Sequence, residues 1–193
     1  MTRPPPPATP EDALAEAFRL LSRGVADRRS PFHTPTLATR APDGAPDLRT
    51  VVLRGFDPAT RLLRIHTDRR SAKAAAIAAD PRTALHGYDA GAQVQIRIGG
   101  VATLHLDDAI AEAAWAASRE MSRMCYATPH APGAPVAEPP PAPQDAVSGR
   151  ANFAAVTLRI DTLDWLLLAA AGHRRARFAW APDGTLSASW VAP

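Results

Sequence analysis

The chain has 193 residues, 46% hydrophobic and 21% charged, and a formal net charge of +3. That length and balance fit one globular domain with a real core, and the charge is too small to argue for nucleic acid. The single cysteine, Cys125, excludes an intrachain disulfide framework or a four-cysteine zinc site. No apolar run is long enough for a transmembrane helix, and the start lacks a signal-peptide core, so a soluble, cytoplasmic protein with no membrane partner is expected.

Residues 1–10 carry five prolines and read as a disordered or extended lead-in to a single domain over 11–193. Thr9 and Asp12 form a capping box with Pro10 at the first helical position. Leu14, Phe18, Leu21 and Val25 follow at helical spacing, and Gly24 predicts the stop, a helix of about 13 residues. Phe32–Arg40, Leu48–Phe56 and Leu62–Thr67 read as strands, separated by turns at Pro42-Asp43-Gly44 and Asp57–Thr60. Residues 71–79 predict a short helix capped by Asp68 or Ser71 and ended by Asp80-Pro81. Strands are expected at Thr83–Tyr88 and Gln93–His105, then one long helix over Asp107–Arg123. Residues 127–150 hold seven prolines and predict a long loop, too close to the end to separate two domains. Asn152–Ile160, Trp165–Leu168, Ala176–Trp180 and Leu186–Val191 are the last expected strands. About eight short strands without βαβ alternation point to a mainly β (α+β) class, an antiparallel barrel with helices outside.

Dinucleotide, P-loop and nucleophile-elbow signatures are missing, and the six histidines have no metal-ligand spacing. Of 22 basic residues, only Lys73 is lysine. Chemistry concentrates between Arg49 and Gly100. A strand ends at Thr67, a basic loop with Arg69 and Arg70 follows, and a helix starts near Ser71. Its free N–H groups, the Thr67 and Ser71 hydroxyls and Lys73 suit a phosphate monoester, with Arg49 in reach. The alternative is a solvated basic turn with a helix cap. Met121, Met124, Cys125 and Tyr126 read as packing residues, or as part of a gate if the proline-rich loop is a lid.

Four segments share a wording: RTVVLRGFD (49–57), HTDRRSAK (66–73), DPRTAL (80–85) and QIRIGG (95–100). In that order they resemble the pyridoxamine 5'-phosphate oxidase-like family of FMN-binding split barrels. The resemblance covers residues 30–105 well, 152–193 moderately and 106–151 poorly. It implies FMN at a homodimer interface, with Arg49 and Lys73 on its phosphate, helped by Thr67 and Ser71. The backbone at Val51, Val52 and Leu53 would lie along the flavin, and His66 stands where many relatives carry an aromatic. Gln95, Trp165 and Arg177 would come from the partner subunit. The implied substrate contacts are Arg54, Arg119, His173 and Arg175.

Departures from the pattern accompany these matches. Arg54 replaces a lysine, and the substrate-binding tyrosine is missing, with Trp115, Arg119, Ser122 and Arg123 nearest. The pair His173/Arg175 has its order swapped, and Trp165 to Arg177 is about two residues longer. The resemblance therefore implies an FMN-dependent oxidoreductase with an open substrate, more than vitamin B6 oxidation itself. Two alternatives remain at this stage: a non-catalytic module holding FMN or haem, and a nucleic-acid binder, which the scattered arginines disfavour.

Overall fold

A computed structural model describes residues 5–143 and 145–193. Residues 1–4 of the expected lead-in, and Gln144 within the expected loop, lie outside the described residues. Helix α1 (Pro10–Ala26) opens with the reciprocal cap: the Thr9 hydroxyl accepts from the Asp12 N–H, and the Asp12 carboxylate accepts from the Thr9 N–H. It runs 17 residues, past the expected stop. Gly24 is a close-approach residue instead, since a Cβ there would lie 2.6 Å from the Phe32 carbonyl oxygen.

Among the described residues, nine antiparallel strands form one sheet: β1 (Thr36–Arg40), β2 (Pro46–Thr50), β3 (Leu53–Asp57), β4 (Leu62–Asp68), β5 (Arg82–Asp89), β6 (Val94–His105), β7 (Phe153–Leu167), β8 (Arg174–Trp180) and β9 (Leu186–Val191). Their order is β2-β1-β5-β6-β7-β4-β3, with β8 beside β7 and β9 beside β8. The expected single strand Leu48–Phe56 is two, because the pairing partner changes at Val51-Val52. Thr50 pairs with Thr36 of β1, whereas Leu53 pairs with Ile65 of β4. Two strands joined by two residues thus sit at opposite ends of a seven-strand path. The sheet must curl until its ends meet, which is the expected split barrel, closed at a seam.

The expected strands Asn152–Ile160 and Trp165–Leu168 are one, β7. Its first half pairs with β4 and its second half with β8, while β6 runs along its other edge. The expected long helix breaks into α3 (Ala109–Ala116) and α4 (Glu120–Met124). The Ser118 hydroxyl donates back to the Ala114 carbonyl, and the Arg123 guanidinium donates to the Trp115 and Ala116 carbonyls. These side chains satisfy the last carbonyls of α3, so the chain can turn there.

Val94, Ile96 and Ile98 alternate inward along β6. All three are at most 1% exposed, in a core shared with Leu20 and Leu21 of α1, Phe32 and Trp165. Helix α2 (Ala72–Ala79) covers a second cluster through Ile77, with Leu37, Val51, Ile65 and Val156. Ala114 of α3 packs with Phe153 and Ala155, flanked by Trp115 and Tyr126. No described helix is long and apolar enough to cross a membrane.

Candidate functional site

The sequence around 67–73 builds a cradle from local rules. Strand β4 ends at Asp68, and Ser71 caps α2 by accepting from the Ala74 N–H. Thr67 and Ser71 are buried, their hydroxyl oxygens 3.1 Å apart, and Lys73 Nζ donates to Thr67 Oγ1 at 3.2 Å. Arg49, on β2, donates to the Thr39 hydroxyl at 2.7 Å and pairs with Asp47. Burial pushes the Lys73 ammonium below its ordinary pKa, and the positive charge of Arg49 pushes it further down. Two half-buried cations, partly offset by Asp47 and Asp68, therefore repel each other beside two hydroxyls and a helix N-terminus. Arg69 and Arg70 are not part of this group. Arg70 is held by Asp68 at 2.7 Å and donates to the Thr128 and Pro129 carbonyls, and Arg69 faces Asp107.

Beside the cradle lies a cavity of about 550 Å³. Thr50, Val51 and Val52 of the seam form one wall, with His66, Thr67 and Lys73. Met121, Cys125, Tyr126 and Pro132 face them. Its size is within the range of small-molecule and cofactor sites. Burial, reinforced by Arg64 and Arg54, lowers the His66 pKa to about 4, so the ring is neutral at pH 7. Its Nε2 is out of water and has no hydrogen-bond partner among the described residues. The ring stands edge-on to Phe153 at 5.0 Å. Burial raises the Tyr126 phenol to about 12, and its ring packs against Phe153 and Trp115. Of the four residues expected to pack here, Met121 is 82% exposed and Cys125 is exposed, so they edge the cavity while Tyr126 packs.

A second pocket of about 320 Å³ adjoins the first and shares Arg28, Arg54, His66 and Ser122 with it. Leu53, Arg64, Ser118 and Arg119 complete much of its wall.

On the outer face of the sheet, cross-strand register aligns His86, Arg97, Asp164, Arg177 and Ser189. Gln95 Oε1 is 3.3 Å from His86 Nε2. Arg97, Arg175 and Arg177 all donate to Asp164. Burial alone would raise the Asp164 pKa, but the hydrogen bonds from Arg175, Arg97 and Arg177 outweigh it and hold the carboxyl at about 2. His173 is exposed and lines a shallow pocket with Arg174, Arg175 and Trp190. Trp165 is 0% exposed, and its indole N–H donates to Glu16 of α1 at 3.1 Å.

The family model described as pyridoxamine 5'-phosphate oxidase, FMN-binding domain, matches residues 15–106. A pyridoxine/pyridoxamine 5'-phosphate oxidase of Azorhizobium caulinodans is 36% identical over 127 residues, 63% of this chain and 58% of that protein. That of Alkalilimnicola ehrlichii is 37% identical over 107 residues, 55% and 53% of the two chains. The chain thus spans less than two thirds of these curated relatives. The crystal structure of a pyridoxamine 5'-phosphate oxidase-related, FMN binding protein from Nostoc punctiforme is similar with a TM-score of 0.79 at 28% identity, over 93% of this chain and 96% of that one. Just under half of the chain thus matches the FMN-binding domain of the pyridoxamine 5'-phosphate oxidase family.

The matched stretch contains the seam, the cradle and the β3–β4 hairpin. The structure brings Arg49, Thr67, Ser71 and Lys73 together. It lines the adjoining cavities with Val51, Val52, Leu53, Arg54, His66 and Arg119. Gln95, His173, Arg175 and Arg177 lie elsewhere in the same chain, on the outer face and at the β7–β8 end, and Trp165 is enclosed in the core. Sequence reasoning missed Arg28 and Arg64. Arg64 had a signal, since it shares a strand face with His66 by simple alternation. Arg28 follows α1 in an irregular turn and had none.

Proposed function

We propose that this oxidase-like chain binds FMN at the barrel seam and acts as an FMN-dependent oxidoreductase on a small-molecule substrate. One observation carries the reading: Arg49 and Lys73 are held close enough to repel, over the hydroxyls of Thr67 and Ser71 at the start of α2. A dianionic phosphate offsets that repulsion and receives donors from both hydroxyls and the helix N-terminus. The residues therefore fit the phosphate end of the cofactor. The seam at Val51 and Val52 then supports the flavin ring in the 550 Å³ cavity, and neutral His66 offers it a hydrogen-bonding nitrogen without a charge. FMN, when bound, supplies two-electron transfer through flavin N5. Arg54 and Arg119, in the adjoining pocket, hold an anionic group of the substrate and so orient it against the cofactor.

Gln95 and Arg177 reach a flavin only from a second copy of the chain, which makes the homodimer part of the proposal. The absorbance spectrum of the purified protein, followed by titration of the flavin-free form with FMN, tests the reading. A flavin spectrum near 450 nm and micromolar or tighter binding support it, as does a dimer by size-exclusion chromatography. A colourless protein that ignores FMN overturns it. His66 Nε2, buried and without a partner, favours a second reading, a non-catalytic module for FMN or haem. A Soret band on haem addition, with no flavin bound, supports that instead.

A further inference from the structure

Four arginines surround the 320 Å³ pocket: Arg28, Arg54, Arg64 and Arg119. They come from the turn after α1, from β3, from β4 and from the cap of α4. No Asp or Glu lines the pocket. Among the described residues none of the four guanidiniums has an ion-pair partner. Most other arginines of the chain do have one, such as Arg70 on Asp68, Arg82 on Asp80 and Arg150 on Glu112. The neighbouring acids are committed elsewhere: Asp27 to Arg23 and Arg29, and Asp68 to Arg70.

The arrangement is built into the fold. A Cβ at Gly55 would meet Arg64 Nε at 3.3 Å, so the glycine leaves the space in which this side chain lies. Arg64 Nε is shut off from water with no partner, as is the nearby His66 Nε2. A single carboxylate is matched by one bidentate guanidinium. Four guanidiniums from four elements exceed that need. Arg28 and Arg119 are exposed, and it is the part-buried charge of Arg54 and Arg64 that opposes folding here unless an anion matches it.

We infer that this pocket takes a small organic acid carrying two separate anionic groups, one held on the Arg28 and Arg54 side next to the larger cavity and the other by Arg64 and Arg119, which line the smaller pocket alone. The inference rests on the proposed flavin site only for the fate of the bound acid; the binding itself does not require FMN. It distinguishes this chain's ligand from a compound with one phosphate and no other negative group.

Isothermal titration calorimetry on the full chain, flavin-free and at constant ionic strength, tests it with isophthalate against benzoate and inorganic phosphate. Isophthalate is expected to bind at least about tenfold tighter than either, the scale of one added charge-assisted contact. Arg64→Gln and Arg119→Gln should each remove about that gain, with thermal unfolding monitored to show an intact fold. Equal affinity for isophthalate and benzoate overturns the inference, and so does phosphate binding as tightly as isophthalate. Isophthalate affinity that falls in Lys73→Met but not in Arg64→Gln also overturns it, because the acid then sits in the cradle. A chain that binds isophthalate but not FMN keeps the inference and loses the flavin reading. A chain that binds FMN but not isophthalate does the reverse.

Discussion

Replacing Lys73 by Met separates binding from folding, because FMN affinity should fall while stability barely changes. In the free protein Lys73 is half-buried, faces the charge of Arg49, and makes one hydrogen bond to Thr67. Losing that bond costs about 1 kcal/mol, and Thr67 keeps Ser71 at 3.1 Å. Removing a desolvated, repelled ammonium returns a similar amount, and the Met chain still fills the space of the stem. Stability of the flavin-free protein should therefore change by less than about 1 kcal/mol, or about 2–4 °C in Tm for a chain of this size. FMN affinity should fall by about 1.5–3 kcal/mol, roughly 10–150-fold, the loss of one charge-assisted contact to phosphate. The wild type carries a further mark. Its lowered Lys73 pKa means the unfolded chain binds the extra proton, so stability rises as pH climbs from the folded-state pKa towards 10.5. Lys73→Met should lose that rise. Fluorescence titration with FMN and thermal unfolding of the flavin-free protein measure both effects. An FMN affinity within threefold of wild type, or a variant that fails to fold, would refute the reasoning.

His66 titrates near 4 in the folded chain against an ordinary 6.5, so stability should drop as pH falls from 6.5 to 4, by up to about 3 kcal/mol. Urea unfolding at pH 7 and 4.5 should show this in wild type and much less in His66→Phe. Asp164→Asn leaves three guanidiniums around a neutral amide. Arg97 and Arg177 are half exposed, so the loss should be about 1–3 kcal/mol, partly recovered in high salt by thermal unfolding. In the wild type the Asp164 contribution is complete above pH 4 and is lost as pH falls through about 2. Gly100→Ala places a Cβ 1.9 Å from the Arg159 carbonyl oxygen at the bulge of β6. It should cost upwards of about 3 kcal/mol and show as loss of soluble protein or a Tm drop.

The parts of the site that sequence could reveal are those written within a few residues. Thr67, Ser71 and Lys73 fall on a strand end, a cap and the first turn of one helix, so local rules place them together. Arg49 is expected in reach from a hairpin, but it stands on β2, paired with β1, and meets them across the seam instead. The break at Val51-Val52 had no local mark: both residues are β-branched, and only the switch of partner from Thr36 to Ile65 interrupts the strand. Gly24 read as a stop because its true neighbour, Phe32, lies beyond the helix. The ring of arginines was hidden by abundance. With 21 arginines in the chain, what sets four apart is the absence of a carboxylate beside them, which only three-dimensional proximity reveals. The same holds for Asp164, whose partners Arg97, Arg175 and Arg177 come from two other strands.

The seam at Val51-Val52 also dictates an order of assembly. The link that forces the barrel to close leaves the ribosome early, but the strand that completes the ring, β7, comes after residue 152. Until then the emerging chain holds two separate pieces, the ribbon of β2, β1, β5 and β6 and the hairpin of β3 and β4, tethered at that link. Only when Leu158 meets Leu63, and Trp165 slots beneath α1, does the half-made sheet become a vessel. Such long-range pairing slows folding and leaves the early pieces open to wrong partners. Truncation before β7 should therefore yield no smaller working barrel, and synthesis of the last fifth of the chain decides whether the rest has anything to enclose.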